Sequence, residues 1–240
     1  MNYRYSKSID ECSYDENCGD QQTFPFDQAT ERAPSDYDVK HSLTGYVLYE
    51  LPFFKSRHNV LYTMAGGWKL SGIVTLNSGF PWTPVYSGSA CIQVASRGNV
   101  CPVRPIAYAG GAGTNYSTSK FQQKGGNFPN GGLAYFTPPP DPSTYTVPPR
   151  PGIGRNSFRG PRYTGIDMSF GKRFTLPRIP LVGENAGFEI KANAFNIFNK
   201  LNLSPFAFNT ASTNITNPQF GQATGALSGR TIELTARFSF

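Results

Sequence analysis

Apolar and polar residues alternate one for one in six separate stretches of the chain. "NYRYSKS" (2–8) sets Tyr3 and Tyr5 against Arg4 and Ser6. "HSLTGYVLYEL" (41–51) puts Leu43, Val47, Tyr49 and Leu51 on one side, with Ser42, Thr44 and Glu50 on the other. "WKLSGIVTLN" (68–77) divides Trp68, Leu70, Val74 and Leu76 from Lys69, Ser71, Thr75 and Asn77. "YTGIDMSFGKRF" (163–174) divides Ile166, Met168 and Phe170 from Asp167, Ser169 and Arg173. "GFEIKANAFNIF" (187–198) divides Phe188, Ile190, Ala192 and Ala194 from Glu189, Lys191 and Asn193. The closing "RTIELTARFSF" (230–240) divides Ile232, Leu234, Ala236, Phe238 and Phe240 from Glu233, Thr235, Arg237 and Ser239. A period of two marks strands, whose successive side chains point to opposite faces. Helical periodicity is almost absent, so the pattern predicts an all-β, antiparallel architecture of six amphipathic strands.

Connection lengths separate two ways of burying the apolar face. The connections run 9–40, 52–67, 78–162, 175–186 and 199–229: long, short, very long, short, long. A soluble sandwich has no reason to alternate in this way, whereas outer-membrane barrels combine short periplasmic turns with long extracellular loops. Strands of ten to twelve residues at ~3.3 Å each are about 35 Å long. Tilted by roughly 45°, they cover the ~25 Å apolar band of such a barrel, while sandwich strands commonly have only about five or six residues. The expected fold is a segment of an antiparallel transmembrane β-barrel. With the C-terminus in the periplasm, 9–40, 78–162 and 199–229 become extracellular loops, and 52–67 and 175–186 periplasmic turns. A secreted soluble β-sandwich serving as a binding or adhesion module is the alternative.

Composition narrows the functional classes. Charged residues make up 15% of the chain, against about 25% in an ordinary soluble domain. No apolar run approaches the ~20 residues of a transmembrane helix. The negative mean hydropathy fits a barrel equally well, because lumen-facing polar residues offset lipid-facing ones. The net charge of +7 is scattered, without a basic cluster or nucleic-acid signature, so no nucleic-acid partner is expected. "MNYRYSKSIDE" has no apolar signal-peptide core; either the chain is cytosolic or this is not its natural start.

Enzymatic chemistry finds little support. His41 and His58 are the only histidines, and G-x-S-x-G, H-E-x-x-H and P-loop patterns do not occur. "AGGAGTNYSTSK" (109–120) lacks the G-K-[ST] ending that phosphate binding requires, and reads as a flexible loop. The proline-rich 137–154 stretch contains P-x-x-P spacings but suits stiff polyproline shaping a loop. The cysteines form two local pairs, Cys12/Cys18 and Cys91/Cys101. Zinc requires tighter spacing with matching partners, so two disulfides on an oxidising side are the better reading. No cofactor or metal is expected. Asp167, Glu189 and Glu233 fall on polar strand faces, where cross-strand pairing with Arg173, Lys191 and Arg237 is preferred to a catalytic carboxylate pair.

The segments "HSLTGYVLYELPF", "GWKLSGIVTLNSGFPWTP", "GRNSFRGPRYTGIDMSFGKRF", "FEIKANAFNIFNKLNL" and "ARFSF" resemble the C-terminal part of TonB-dependent outer-membrane receptors, the Oar-like group in particular. The resemblance covers most of the chain and is strongest over 41–86 and 152–203. It implies a barrel of roughly 22 strands, closed by an N-terminal plug, that imports scarce ligands with energy passed on by TonB. The sequence shows no plug and no TonB box, and six strands cannot close so wide a lumen. The chain is therefore expected to be the last six strands of a larger receptor in the bacterial outer membrane, and to transport nothing alone. Its partners would be outer-membrane lipid, the barrel-assembly machinery, the rest of the receptor and through it TonB, and an extracellular ligand.

Residues carry these roles as follows. Lys69, Asp167, Glu189, Lys191, Glu233 and Arg237 are expected to face the lumen. Tyr86, Tyr108, Tyr116, Tyr135 and Tyr145, set among Asn and Gly in 78–162, are candidate ligand-contacting rings. Trp68, Trp82, Phe195 and Phe198 suit the interfacial aromatic girdle of a barrel. Phe240, with Phe238 two residues before it, resembles the C-terminal signal read by the barrel-assembly machinery.

Overall fold

The computed structural model describes residues 1–13, 24, 26–52, 66–87, 92–94, 98–100, 103–111, 128–175, 186–206 and 210–239. Each of the six alternating stretches contains a strand: β1 Asn2–Tyr5, β2 His41–Glu50, β3 Lys69–Asn77, β4 Tyr163–Thr175, β5 Gly187–Phe195 and β6 Thr231–Ser239. They form one six-stranded antiparallel meander in which chain order is spatial order. Two strands are shorter than the alternation predicts. β1 stops at Tyr5 because the Ser8 amide turns to the Asp38 carboxylate, 2.8 Å away. β5 stops at Phe195 because Asn196 takes a left-handed φ of 49°. Its side chain closes a ring on Lys200, with Oδ1 accepting from the Lys200 amide at 2.8 Å and Nδ2 donating to the Lys200 carbonyl at 2.9 Å.

The register sorts the side chains into two faces, because directly paired residues point the same way. One row crosses Tyr49, Leu70, Phe170, Ala192 and Leu234; the next crosses Val47, Gly72, Met168, Ala194 and Ile232. This apolar face is open to the surroundings: Leu234 is 84% exposed, Ile232 62% and Val47 57%. Among the described residues no second sheet packs on it, which a sandwich would require. Among the described residues β1 and β6 are the edges of the sheet and do not pair with each other.

Antiparallel order brings the three long connections to one end of the sheet, where they fold together as a cap. Its core is aromatic: Trp82, Phe128, Phe136, Ile153, Phe158, Phe206, Ile215 and Phe220 form one buried cluster. Trp82 is fully buried, with Phe158 and Phe206 each 5.4 Å away between ring centroids. It belongs to this core rather than to a lipid-facing girdle, because Pro81–Trp82 pairs with Phe158–Arg159 above the end of β3. Chain crossing there is close: a side-chain carbon on Gly79 would lie 1.9 Å from the Gly160 carbonyl oxygen, so only glycine fits. The 78–162 and 199–229 connections join through the Val85 amide, which donates to Thr213 at 2.8 Å, and the Ile215 amide, which returns to Val85 at 2.9 Å.

The 9–40 connection is fastened to the cap by charge. Arg104 pairs with Glu31 at 2.5 Å, and both side chains are almost wholly buried. Arg155 pairs with Asp10 and lies 3.6 Å from Asp36; Arg159 pairs with Asp38. Asn156, at φ 55°, fills the space between them, its amide donating to Asp36 at 2.6 Å and to the Pro34 carbonyl at 2.7 Å.

Candidate functional site

The second face of the sheet is polar. Lys69, Asp167, Glu189, Lys191, Glu233 and Arg237 all lie on it by register. Lys69 bridges to Glu50 at 2.8 Å across β2 and β3. Glu189 sits between Arg173 on β4 and Arg237 on β6, one cation opposite it on each side. Ser169 donates to Asn193 at 2.8 Å in the row that continues to Glu233. Asp167 behaves differently from the expected charge pairing. The register sets it opposite Ile73, away from the three basic residues, and its carboxylate accepts the Asn196 amide at 2.8 Å. It therefore anchors the turn that ends β5. Tyr46, Leu48 and Ile73 also occupy this face, well exposed. Alternation alone had left them unassigned.

Aromatic residues gather on the apolar face at the end away from the cap. Trp68 stacks flat on Phe170 with centroids 4.4 Å apart, and Phe174, Phe188 and Phe238 lie side by side across β4, β5 and β6. Lys172 shares this face yet is buried. Its ammonium reaches the Gly66 carbonyl and stands 4.8 Å from the Phe174 ring centroid, so the stem packs on apolar surface while the head finds a polar partner. Phe195 falls on the polar face, opposite Thr231, and Phe198 lies in the turn beyond β5. Both differ from the expected girdle positions: Phe195 follows the two-residue series of Glu189, Lys191 and Asn193, and Phe198 comes after the chain leaves the strand at Asn196.

The loop tyrosines are only partly presented. Tyr108 stacks on Phe136 at 4.8 Å, Tyr135 meets Phe128 edge-on at 5.3 Å, and Tyr86 packs against the same core. Tyr145 is half-buried, and burial, reinforced by the nearby Asp141 charge, pushes its hydroxyl above the usual pKa. Tyr116 lies outside the described residues, as do Cys18, Cys91, Cys101 and Phe240. Cys12 is disulfide-bonded. Among the described residues no His, Cys, Asp and Glu side chains cluster as metal ligands, and no helix is long and apolar enough to cross a membrane.

The arrangement is a sheet wettable on one face, apolar on the other and capped by folded loops at one end. It suits a strand-built membrane wall, since an apolar sheet face without a covering layer needs lipid. The model of the family described as "Outer membrane beta barrel domain" matches residues 1–233. The chain belongs to that family. Comparisons with curated proteins and with solved structures give no match. Family membership locates this outer-membrane β-barrel chain in the bacterial outer membrane, which it crosses with strands rather than helices.

Proposed function

We propose that this chain is the C-terminal portion of the barrel wall of a TonB-dependent receptor of the Oar-like kind, whose parent function is energised solute uptake. The observation that carries the reading is the open edge on each side of a sheet with one polar and one apolar face. Each unpaired edge group in hydrocarbon costs several kcal/mol, so β1 and β6 call for further strands. The five matching segments named above supply the receptor class. In this reading the apolar face meets lipid, and Lys69, Asp167, Glu189, Lys191, Glu233 and Arg237 line the lumen beneath a plug carried by the rest of the receptor. The cap lies outside the cell and its surface selects the ligand; residues 52–67 and 175–186 are periplasmic turns. The role is binding and passage of solute, without catalysis.

Purification from native outer membranes under non-denaturing detergent conditions tests this. The chain is expected in a heat-modifiable species much larger than its 26.3 kDa, together with the strands that complete the barrel. A monodisperse monomer in buffer without detergent would sink the proposal and favour the soluble binding module.

A further inference from the structure

A cleft of about 660 Å³ opens where the apolar face meets the cap. Its lower wall is Tyr3, Leu43 and Leu76, all on the apolar face, and its upper wall carries Arg162 and Lys200. Arg159 also lines it but is engaged with Asp38, and among the described residues no acidic side chain lines the cleft. Arg162 and Lys200 are exposed and make no ion pair among the described residues. Lys200 is nevertheless well placed, because Asn196 holds both its amide and its carbonyl.

We propose that this cleft binds the phosphate-bearing headgroup of an outer-leaflet lipid, with an acyl chain lying along Leu43 and Leu76. Two observations select that occupant. The cleft is continuous with the apolar face below, so a ligand there is apolar at one end. Its other end meets two cations with no competing carboxylate among the described residues, which matches phosphate. A free anion would use only the upper wall, and a neutral lipid only the lower. The inference rests on the assignment of the apolar face to lipid.

Binding is measured on the full chain in detergent micelles by native mass spectrometry, titrating a bis-phosphorylated acyl-disaccharide lipid. Its dephosphorylated form, phosphatidylcholine and inorganic phosphate serve as comparison probes. The double variant Arg162→Ser/Lys200→Ser is expected to bind roughly tenfold more weakly or worse, because it loses two charge-assisted contacts. Arg150→Ser, an exposed cation elsewhere in the cap, is expected to bind as the parent does. Equal binding by the double variant overturns the proposal, as does equal binding of the dephosphorylated lipid. Displacement of the lipid by inorganic phosphate at similar concentration would identify a simple anion site instead. Sedimentation of the same variants with and without detergent keeps the two readings apart. A chain that needs detergent but ignores the phosphates refutes only this inference, whereas one that needs none refutes the membrane assignment beneath it.

Discussion

Replacing Arg104 by Met removes the cation that pairs with Glu31 inside the cap. The wild-type guanidinium donates to Glu31 at 2.5 Å, to the Thr30 carbonyl at 3.2 Å and to the Ile153 carbonyl at 3.4 Å. Burial lowers its pKa, and the Glu31 charge opposes that shift. In the variant the carboxylate keeps the Phe24 amide at 3.2 Å and the Thr30 hydroxyl at 3.5 Å, but loses its paired cation. Breaking a buried pair from one side costs about 3–5 kcal/mol, because the remaining charge stays desolvated. With a urea m-value of about 2 kcal/mol/M, the cap midpoint falls by roughly 1.5–2.5 M. The protein supplies its own probe, since Trp82 is buried in the cap and Trp68 stands on the sheet. In a Trp68→Phe background, indole emission in micelles therefore reports the cap alone. Adding Glu31→Gln to Arg104→Met is expected to recover about 1–3 kcal/mol, as coupled neighbours do. A single-variant loss below about 1 kcal/mol, or strict additivity in the double variant, would show that the pair does not hold the 9–40 connection to the cap.

Acid should loosen the cap before it affects the sheet. Burial alone raises the Asp10 and Asp38 carboxyls. Hydrogen bonds from Arg155, Ser13 and Ser35 to Asp10, and from Arg159 and the Ser8 amide to Asp38, together with the arginine charges, outweigh it and hold both below the ordinary range. A depressed folded pKa means stability that is full above the unfolded value and lost as pH falls through the folded one, so the loss begins below about pH 4. Trp82 emission should then change on acidification while strand circular dichroism persists; a cap that is unaltered at pH 2 contradicts the assignment. Phe240→Ala in a full-length parent receptor is expected to lower assembled barrel without lowering synthesis, read as the heat-modifiable fraction on gels. Unchanged assembly would make the terminal aromatic an ordinary edge residue.

Local alternation was enough to place all six strands and to divide their faces. Glu189, Lys191, Glu233 and Arg237 stand on the polar face where period two puts them, and Ile232, Leu234, Ala236 and Phe238 on the other. That information is local, because a strand's side chains alternate whatever the partner. The end of β5 was less legible. The 187–198 stretch reads as one strand, yet Asn196 leaves it for a left-handed turn stabilised by Asp167, a residue on the neighbouring strand.

The cap was hidden for a stronger reason. Trp82 reads as a membrane anchor and the loop tyrosines as ligand contacts, since an isolated aromatic in an aperiodic stretch carries no direction. Their burial depends on Phe128, Phe136, Phe158, Phe206 and Phe220 converging from two connections. The charges that close the structure are equally distant in sequence: Arg104 and Glu31 lie 73 residues apart, and Arg155 and Asp10 lie 145 apart. The sequence alone thus determined the amphipathic wall, because two-residue periodicity is written into neighbouring positions. Only the tertiary structure decided that the long loops share one aromatic core and meet the apolar face at a basic cleft, because those contacts exist only once antiparallel order brings the loops to the same end.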